Sequence, residues 1–172
     1  MNTEEFFSLC AESLRAKILQ RVSPVNYPPI TRAEVVAASR RYIGTPYAHE
    51  GRGASGMDCI GLGIVVGQEL GQVPLDLQKI LPPYQPSSLP TLIDFFWEYV
   101  DEIPLAEVGT GDGYLLTHKP GYRLASHLAI RTGYGIIQLH WADTISKVAE
   151  HRIDEYHQQR LAKGWRYRGL II

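Results

Sequence analysis

The residues best placed to do chemistry are Asp58-Cys59-Ile60-Gly61, which follow a glycine-rich loop (residues 51–56) and open an apolar run. A cysteine at that junction sits on the first turn of a helix. There, the helix N-terminus carries partial positive charge and unpaired N–H groups, which favour the thiolate, the nucleophilic form. Two histidines follow at a spacing that matters. Ser126 to Thr132 and Gly135 to His140 flank Gly133-Tyr134, and a glycine at the first central position suits a two-residue type II′ hairpin turn. Pairing Thr132 with Gly135 places His127 opposite His140, on one face with Cβ atoms about 4.5–5.5 Å apart. A cysteine nucleophile needs a base and a group that orients the base. Cys59, His127 and His140 fill those roles in order. The same three side chains, with a water, also match the ligand set of a catalytic zinc site. A structural or binding protein with an ordinary buried thiol is the remaining alternative.

The elements that position these residues read as follows. Phe6, Leu9, Cys10 and Leu14 predict an amphipathic helix over Thr3–Arg21, with Cys10 as a packing residue. Ser23-Pro24 to Pro28-Pro29 forms an extended linker. Thr31 and Glu34 make a capping box for a helix from Arg32 to about Tyr42. A buried helix runs from Cys59 to Leu70, with Gly63, Gly67 and Gly71 four apart on one face, as for a helix backbone lying close on a sheet. A proline-rich stretch from Pro74 to Pro90 precedes a third helix marked by Leu92, Phe95, Phe96 and Tyr99. Strands are expected at Tyr114–Thr117, Ala125–Thr132, Gly135–Ala142 and Arg166–Ile172. Helices first and an antiparallel sheet afterwards give an α+β fold. Residues 1–30 read as a helical extension and linker, and residues 31–172 as the domain that carries the chemistry.

Composition bounds the function. With 172 residues the chain can bury a real core, and a net charge of −1 gives no pull toward nucleic acid or anionic membranes. Two cysteines make neither a disulfide framework nor a multi-cysteine zinc site. No apolar stretch reaches the roughly 18 residues of a membrane span. Glu4, Glu5, Glu12, Arg15 and Lys17 interrupt any signal-peptide core, so synthesis in the cytoplasm is expected, with delivery by another agent if the substrate lies outside. No cofactor is expected.

Four strings in order carry a resemblance: Arg41-Tyr42-Ile43-Gly44-Thr45-Pro46-Tyr47, Asp58-Cys59-Ile60-Gly61-Leu62, His127-Leu128-Ala129-Ile130 and Leu139-His140-Trp141. From Thr31 to Trp141 the chain resembles the NlpC-type cysteine peptidases, papain-like cell-wall hydrolases with a Cys-His-polar triad. Gly111-Asp112 resembles that family's Gly-Asp turn. The Asp-Cys-Ile-Gly-Leu form is most similar to the phage-associated branch. The resemblance implies Cys59 as nucleophile, His127 as base, His140 as third member and Tyr47 near the thiolate, where its hydroxyl aids the oxyanion. It implies cleavage of amide bonds in peptidoglycan stem peptides, often between γ-D-glutamyl and a diamino acid, with phage tail proteins as possible partners. Ile60 stands where the family usually has a serine that helps recognise substrate. Asp58 is either the helix cap or a ligand for a free amino group of the stem peptide, and His49, in the loop before the nucleophile, is a candidate substrate contact.

Overall fold

The computed structural model describes residues 16, 24–77, 96–122, 125–141 and 146–172. The expected Thr3–Arg21 helix and most of the proline-rich stretch lie outside them.

Helix α1 (Arg32–Arg40) starts at a complete capping box: Thr31 Oγ1 accepts from the Glu34 N–H, and Glu34 Oε2 accepts from the Thr31 N–H at 2.7 Å. A two-strand hairpin, β1 (Arg52–Gly53) with β2 (Gly56–Met57), leads into helix α2 (Cys59–Glu69). The rest is sheet: β3 (Val100–Ile103), β4 (Gly113–Thr117), β5 (Ala125–Arg131), β6 (Ile136–Trp141), β7 (Ser146–His151) and β8 (Leu161–Tyr167). These six strands are antiparallel throughout in the order β3-β8-β4-β5-β6-β7. A single helical turn, α3 (Glu155–Gln158), precedes β8.

Helix α2 is buried on nearly every side because it lies flat on the sheet. A Cβ at Gly63 would sit 3.0 Å from Leu128 Cδ1, and one at Gly67 would sit 3.0 Å from Tyr167 Cε1. Gly63 and Gly67 thus face the sheet side, as their spacing predicts, whereas Gly71 lies past the helix end at φ +69° against Pro28. Tyr167 Oη donates to the Gly63 carbonyl at 2.6 Å, and Trp165 packs edge-on against Phe96 and Tyr167 at 5.0 and 5.1 Å between centroids. Leu115, Leu128, Ile130, Ile137 and Leu139 complete this face of the core. The opposite face carries a smaller cluster of Tyr114, Leu116, Ala129 and Ile136.

The Gly111-Asp112 turn is a structural lock. Asp112 is fully buried, accepts from the Gly109 N–H at 2.8 Å, and pairs with Arg32 at 3.1 Å and Arg166 at 2.7 Å. Burial alone would raise its pKa, but Arg166, the Gly109 N–H and Arg32 outweigh burial and hold the carboxyl below its usual range. The turn thus ties α1 to the sheet.

Three expectations change. β3 and β7 were not expected as strands: β3 reads Val-Asp-Glu-Ile with only its end residues buried, and β7 buries only Val148. Such edges lack the apolar alternation that marks a strand. The last strand lies earlier than Arg166–Ile172, because Lys163 and Gly164 mask its start, while Leu170 beyond it bridges to Ile30 instead.

Candidate active site

Asp58 caps α2: its Oδ1 accepts from the Gly61 N–H at 2.7 Å and from Arg52 Nη1 at 2.8 Å. The glycine loop lies against the helix at this cap. A Cβ at Gly61 would be 2.4 Å from the Gly51 carbonyl oxygen. Asp58 Oδ2 is buried and accepts no hydrogen bond among the described residues. Cys59 follows on the first turn, 7% exposed. Its Sγ donates to the Ser126 carbonyl at 3.7 Å. That carbonyl is turned by a β-bulge: Leu116 pairs with His127 but Thr117 pairs with Ala125, so Ser126 is the extra residue.

The expected thiolate does not follow from this placement. Burial pushes the Cys59 thiol up to about 12, and the neighbouring Asp58 charge adds to the rise. The N–H groups of Ile60 and Cys59, together with Arg52, pull the other way but lose. The helix N-terminus is worth about 0.3–1 kcal/mol per charge, less than the desolvation of a buried ion.

The hairpin register holds, with a different turn. Arg131 pairs with Ile136, Ile130 with Ile137 and Ala129 with Gln138, and the Thr132 N–H donates to the Gly135 carbonyl at 2.8 Å. Gly133 is not among the glycines with positive φ, so the turn is not type II′. Instead Thr132 Oγ1 accepts from the N–H groups of Tyr134 and Gly135 at 3.2 and 2.9 Å. The paired residues of β5 and β6 end at Ala129 and Gln138, short of the expected His127–His140 pair.

His140 does not take the orienting position. His127 Nε2 instead meets Gln138 Oε1 at 2.8 Å, diagonally across the strands. The network behind Gln138 assigns the protons. Asp154 Oδ1 lies 2.6 Å from His157 Nδ1, and the Arg152 carbonyl lies 2.8 Å from His151 Nδ1. Both acceptors require an N–H at Nδ1, which leaves each neutral ring an electron pair at Nε2. Gln138 Nε2 donates to both pairs, at 2.8 Å to His151 and 3.0 Å to His157. Its Oε1 must then face His127, which donates from Nε2 and keeps its electron pair on Nδ1. Burial, with Arg160 adding to it, pushes His127 down to about 4, so its resting ring is neutral.

The remaining candidates fall as follows. Tyr47 is pinned between β7 and β2, with its N–H donating to the Ser146 carbonyl at 2.8 Å and a bridge to Met57. Burial first, then the charges of Asp58 and Cys59, raise its hydroxyl pKa. His49 is exposed in the loop, 3.8 Å from Glu50. Ile60 is buried in the core, where a serine would lack apolar contacts. Arg52, Gln138 and Asp154 were not singled out from sequence, and His151 and His157 read there as surface histidines without partners, whereas His157 is buried and both bond Gln138. Arg52 had a visible signal, as the only cation in the glycine loop.

Two assemblies expected from sequence are not formed. No hydrogen bond joins Cys59 Sγ to the His127 ring among the described residues: α2 packs on the Leu128 face of β5, and His127 leaves from the other face, beside the bulge. The zinc set Cys59-His127-His140 is separated by the sheet in the same way. The imidazoles that do converge are those of His140, His151 and His157.

No family profile and no curated protein matches the chain in sequence. Solved structures do. An NlpC/P60 family protein from Bacillus cereus superposes with a TM-score of 0.58 at 17% identity, over 81% of this chain and 41% of that one. The fold is that of NlpC/P60 proteins. The resuscitation promoting factor interacting protein RipA matches with a TM-score of 0.52 at 20% identity, over 79% of this chain and 61% of its own. A lipoprotein-like NLP/P60 protein from Staphylococcus aureus gives 0.52 at 21% identity, over 79% and 41%. The chain thus spans about two fifths to three fifths of these NlpC/P60 relatives. The α+β expectation, with helices on a central antiparallel sheet, agrees with this fold.

Proposed function

We propose that this NlpC/P60-fold chain is a cysteine peptidase of peptidoglycan stem peptides, with Cys59 as nucleophile, His127 as base and Gln138 as the group that orients the base. The observation that carries the reading is the His127 Nε2 to Gln138 Oε1 bond at 2.8 Å, which holds the electron pair on His127 Nδ1. Cys59 Sγ attacks an amide carbonyl, and its proton passes to His127 Nδ1. The amine leaves with that proton, and the resulting thioester is hydrolysed by water. This transfer needs a Cys59–His127 contact that is not formed among the described residues, and its formation is part of the proposed reading.

The substrate class rests on the resemblance of the four strings and on the fold. Asp58 Oδ2, buried and without a hydrogen-bond partner among the described residues, is the proposed acceptor for a stem-peptide ammonium, and the Tyr47 hydroxyl is the proposed oxyanion donor. A γ-D-glutamyl-diamino acid bond is the proposed scissile bond. A phage or prophage setting, with delivery to the wall by a tail, rests on the Asp58–Leu62 string alone.

The test is cleavage of purified muropeptides by wild type and Cys59→Ala, with the fold of the variant checked by circular dichroism. Loss of product with an unchanged spectrum supports the reading, and full turnover by Cys59→Ala ends it.

A further inference from the structure

Two imidazoles on the sheet face opposite α2 aim their electron pairs at one point. His151 and His157 are each locked through Nδ1, to the Arg152 carbonyl and the Asp154 carboxylate, and their Nε2 atoms lie 2.8 and 3.0 Å from a common neighbour, Gln138 Nε2. A third ring, His140, stands 4.7 Å from His151 between centroids and makes no hydrogen bond among the described residues. The available nitrogens of His140, His151 and His157 all lie within 4.8 Å of one another. We propose that these three histidines form a binding site for a divalent transition ion, Zn2+ foremost, which is filled when the Gln138 amide N–H2 gives up its place.

The chemistry of the donors selects the ion. Imidazole suits Zn2+, Cu2+ and Ni2+, whereas Mg2+ and Ca2+ require oxygen ligands. A ligating histidine almost always donates its other ring N–H to a carboxylate or a backbone carbonyl, which fixes the tautomer and raises the basicity of the ligating nitrogen. His157 with Asp154, and His151 with Arg152, already have that arrangement. The amide N–H2 at the centre is the neutral counterpart of a cation, since it offers positive hydrogen to two lone pairs. Tetrahedral Zn2+ at about 2.0–2.1 Å from nitrogen needs ligand atoms about 3.3 Å apart, so the group must contract. His140 and His151 are half-buried and have room to turn, while buried His157 is the anchor.

Occupancy has a consequence for His127. A half-turn of the Gln138 carboxamide presents Oε1 to the ion as a fourth ligand and Nε2 to His127. His127 Nε2 must then accept, its proton moves to Nδ1, and the electron pair needed for base catalysis is lost. The ion therefore switches the base off. This consequence rests on the peptidase reading, whereas the site itself does not.

The test is equilibrium dialysis of the chelator-stripped full chain against Zn2+, with bound metal measured directly. One equivalent is expected for wild type and for Cys59→Ser. At least about tenfold weaker binding is expected for His140→Ala and for His151→Ala. Because His151→Ala can disturb packing, Co2+ loaded into wild type supplies a second readout: tetrahedral visible bands without a thiolate charge-transfer band. No stoichiometric Zn2+, binding untouched in both histidine variants, or binding lost in Cys59→Ser overturns the proposal. Inhibition of muropeptide cleavage by Zn2+, relieved by chelator, is the functional counterpart. If Zn2+ binds as stated and no variant or metal state cleaves muropeptides, the peptidase reading fails and the metal site stands. If cleavage is present and Zn2+ does not bind, the reverse holds.

Discussion

Gln138 Oε1 accepts a 2.8 Å hydrogen bond from His127 Nε2, and this bond selects the imidazole tautomer whose Nδ1 can take a proton. The selection originates two residues away, at Asp154, which is largely exposed and never touches His127. Its carboxylate sets the proton on His157, His157 and His151 set the direction of the Gln138 amide, and the amide sets His127.

The first prediction concerns that relay. Gln138→Ala should lower kcat by about ten- to a hundredfold, because a positioned base contributes 10²–10⁴-fold and misorientation forfeits part of it. His140→Ala should cost less than Gln138→Ala. Steady-state kinetics on a muropeptide decide the order, and a larger loss for His140→Ala would return the third role to that histidine.

The resting site is a neutral pair, so Cys59 should react slowly with iodoacetamide at neutral pH and faster only as the medium turns strongly alkaline. A Cys10→Ser background isolates the signal. A rate that is already at plateau below pH 7 would show a thiolate–imidazolium pair instead.

Asp58 raises the thiol pKa while capping its helix. Asp58→Asn keeps a capping oxygen and removes the charge. Alkylation of Cys59 at neutral pH should rise in this variant. At the same time, KM for peptides with a free amino group should increase, if the carboxylate meets that ammonium. Peptides with a blocked amine provide the control, and equal KM changes for both would remove Asp58 from substrate binding.

His127 is pushed down to about 4 in the fold, whereas an unfolded histidine titrates near pH 6.5. Between those values the unfolded chain binds more protons, so stability is full above about pH 6.5 and falls as the pH drops toward 4. The loss attributable to this ring is about 3 kcal/mol. Urea midpoints at a series of pH values, with His127→Gln for comparison, should show a flatter acid limb in the variant.

Gly61→Ala should destabilise by about 1–3 kcal/mol, although alanine in a helix normally gains about 1 kcal/mol over glycine. The added Cβ would meet the Gly51 carbonyl at 2.4 Å, and backbone yields less than a side chain. A thermal melt no lower than wild type would mean that the loop does not lie on the helix.

Local rules made much of this protein legible. The Thr31/Glu34 capping box, the Asp58 cap and the glycine spacing of α2 act between near neighbours in sequence, and each appears as expected. Register across the β5–β6 hairpin is local too, since a short turn sets which residues face each other, even though Thr132 rather than Gly133 shapes it. Tertiary structure decided what no spacing encodes. Gln138 meets His127 diagonally, and only the pairing of β6 with β7 and the placement of α3 bring His151, His157 and Asp154 behind it. Burial decided the charge of Cys59 and His127, because desolvation depends on everything packed around a group, whereas a helix N-terminus acts only over its own first turn.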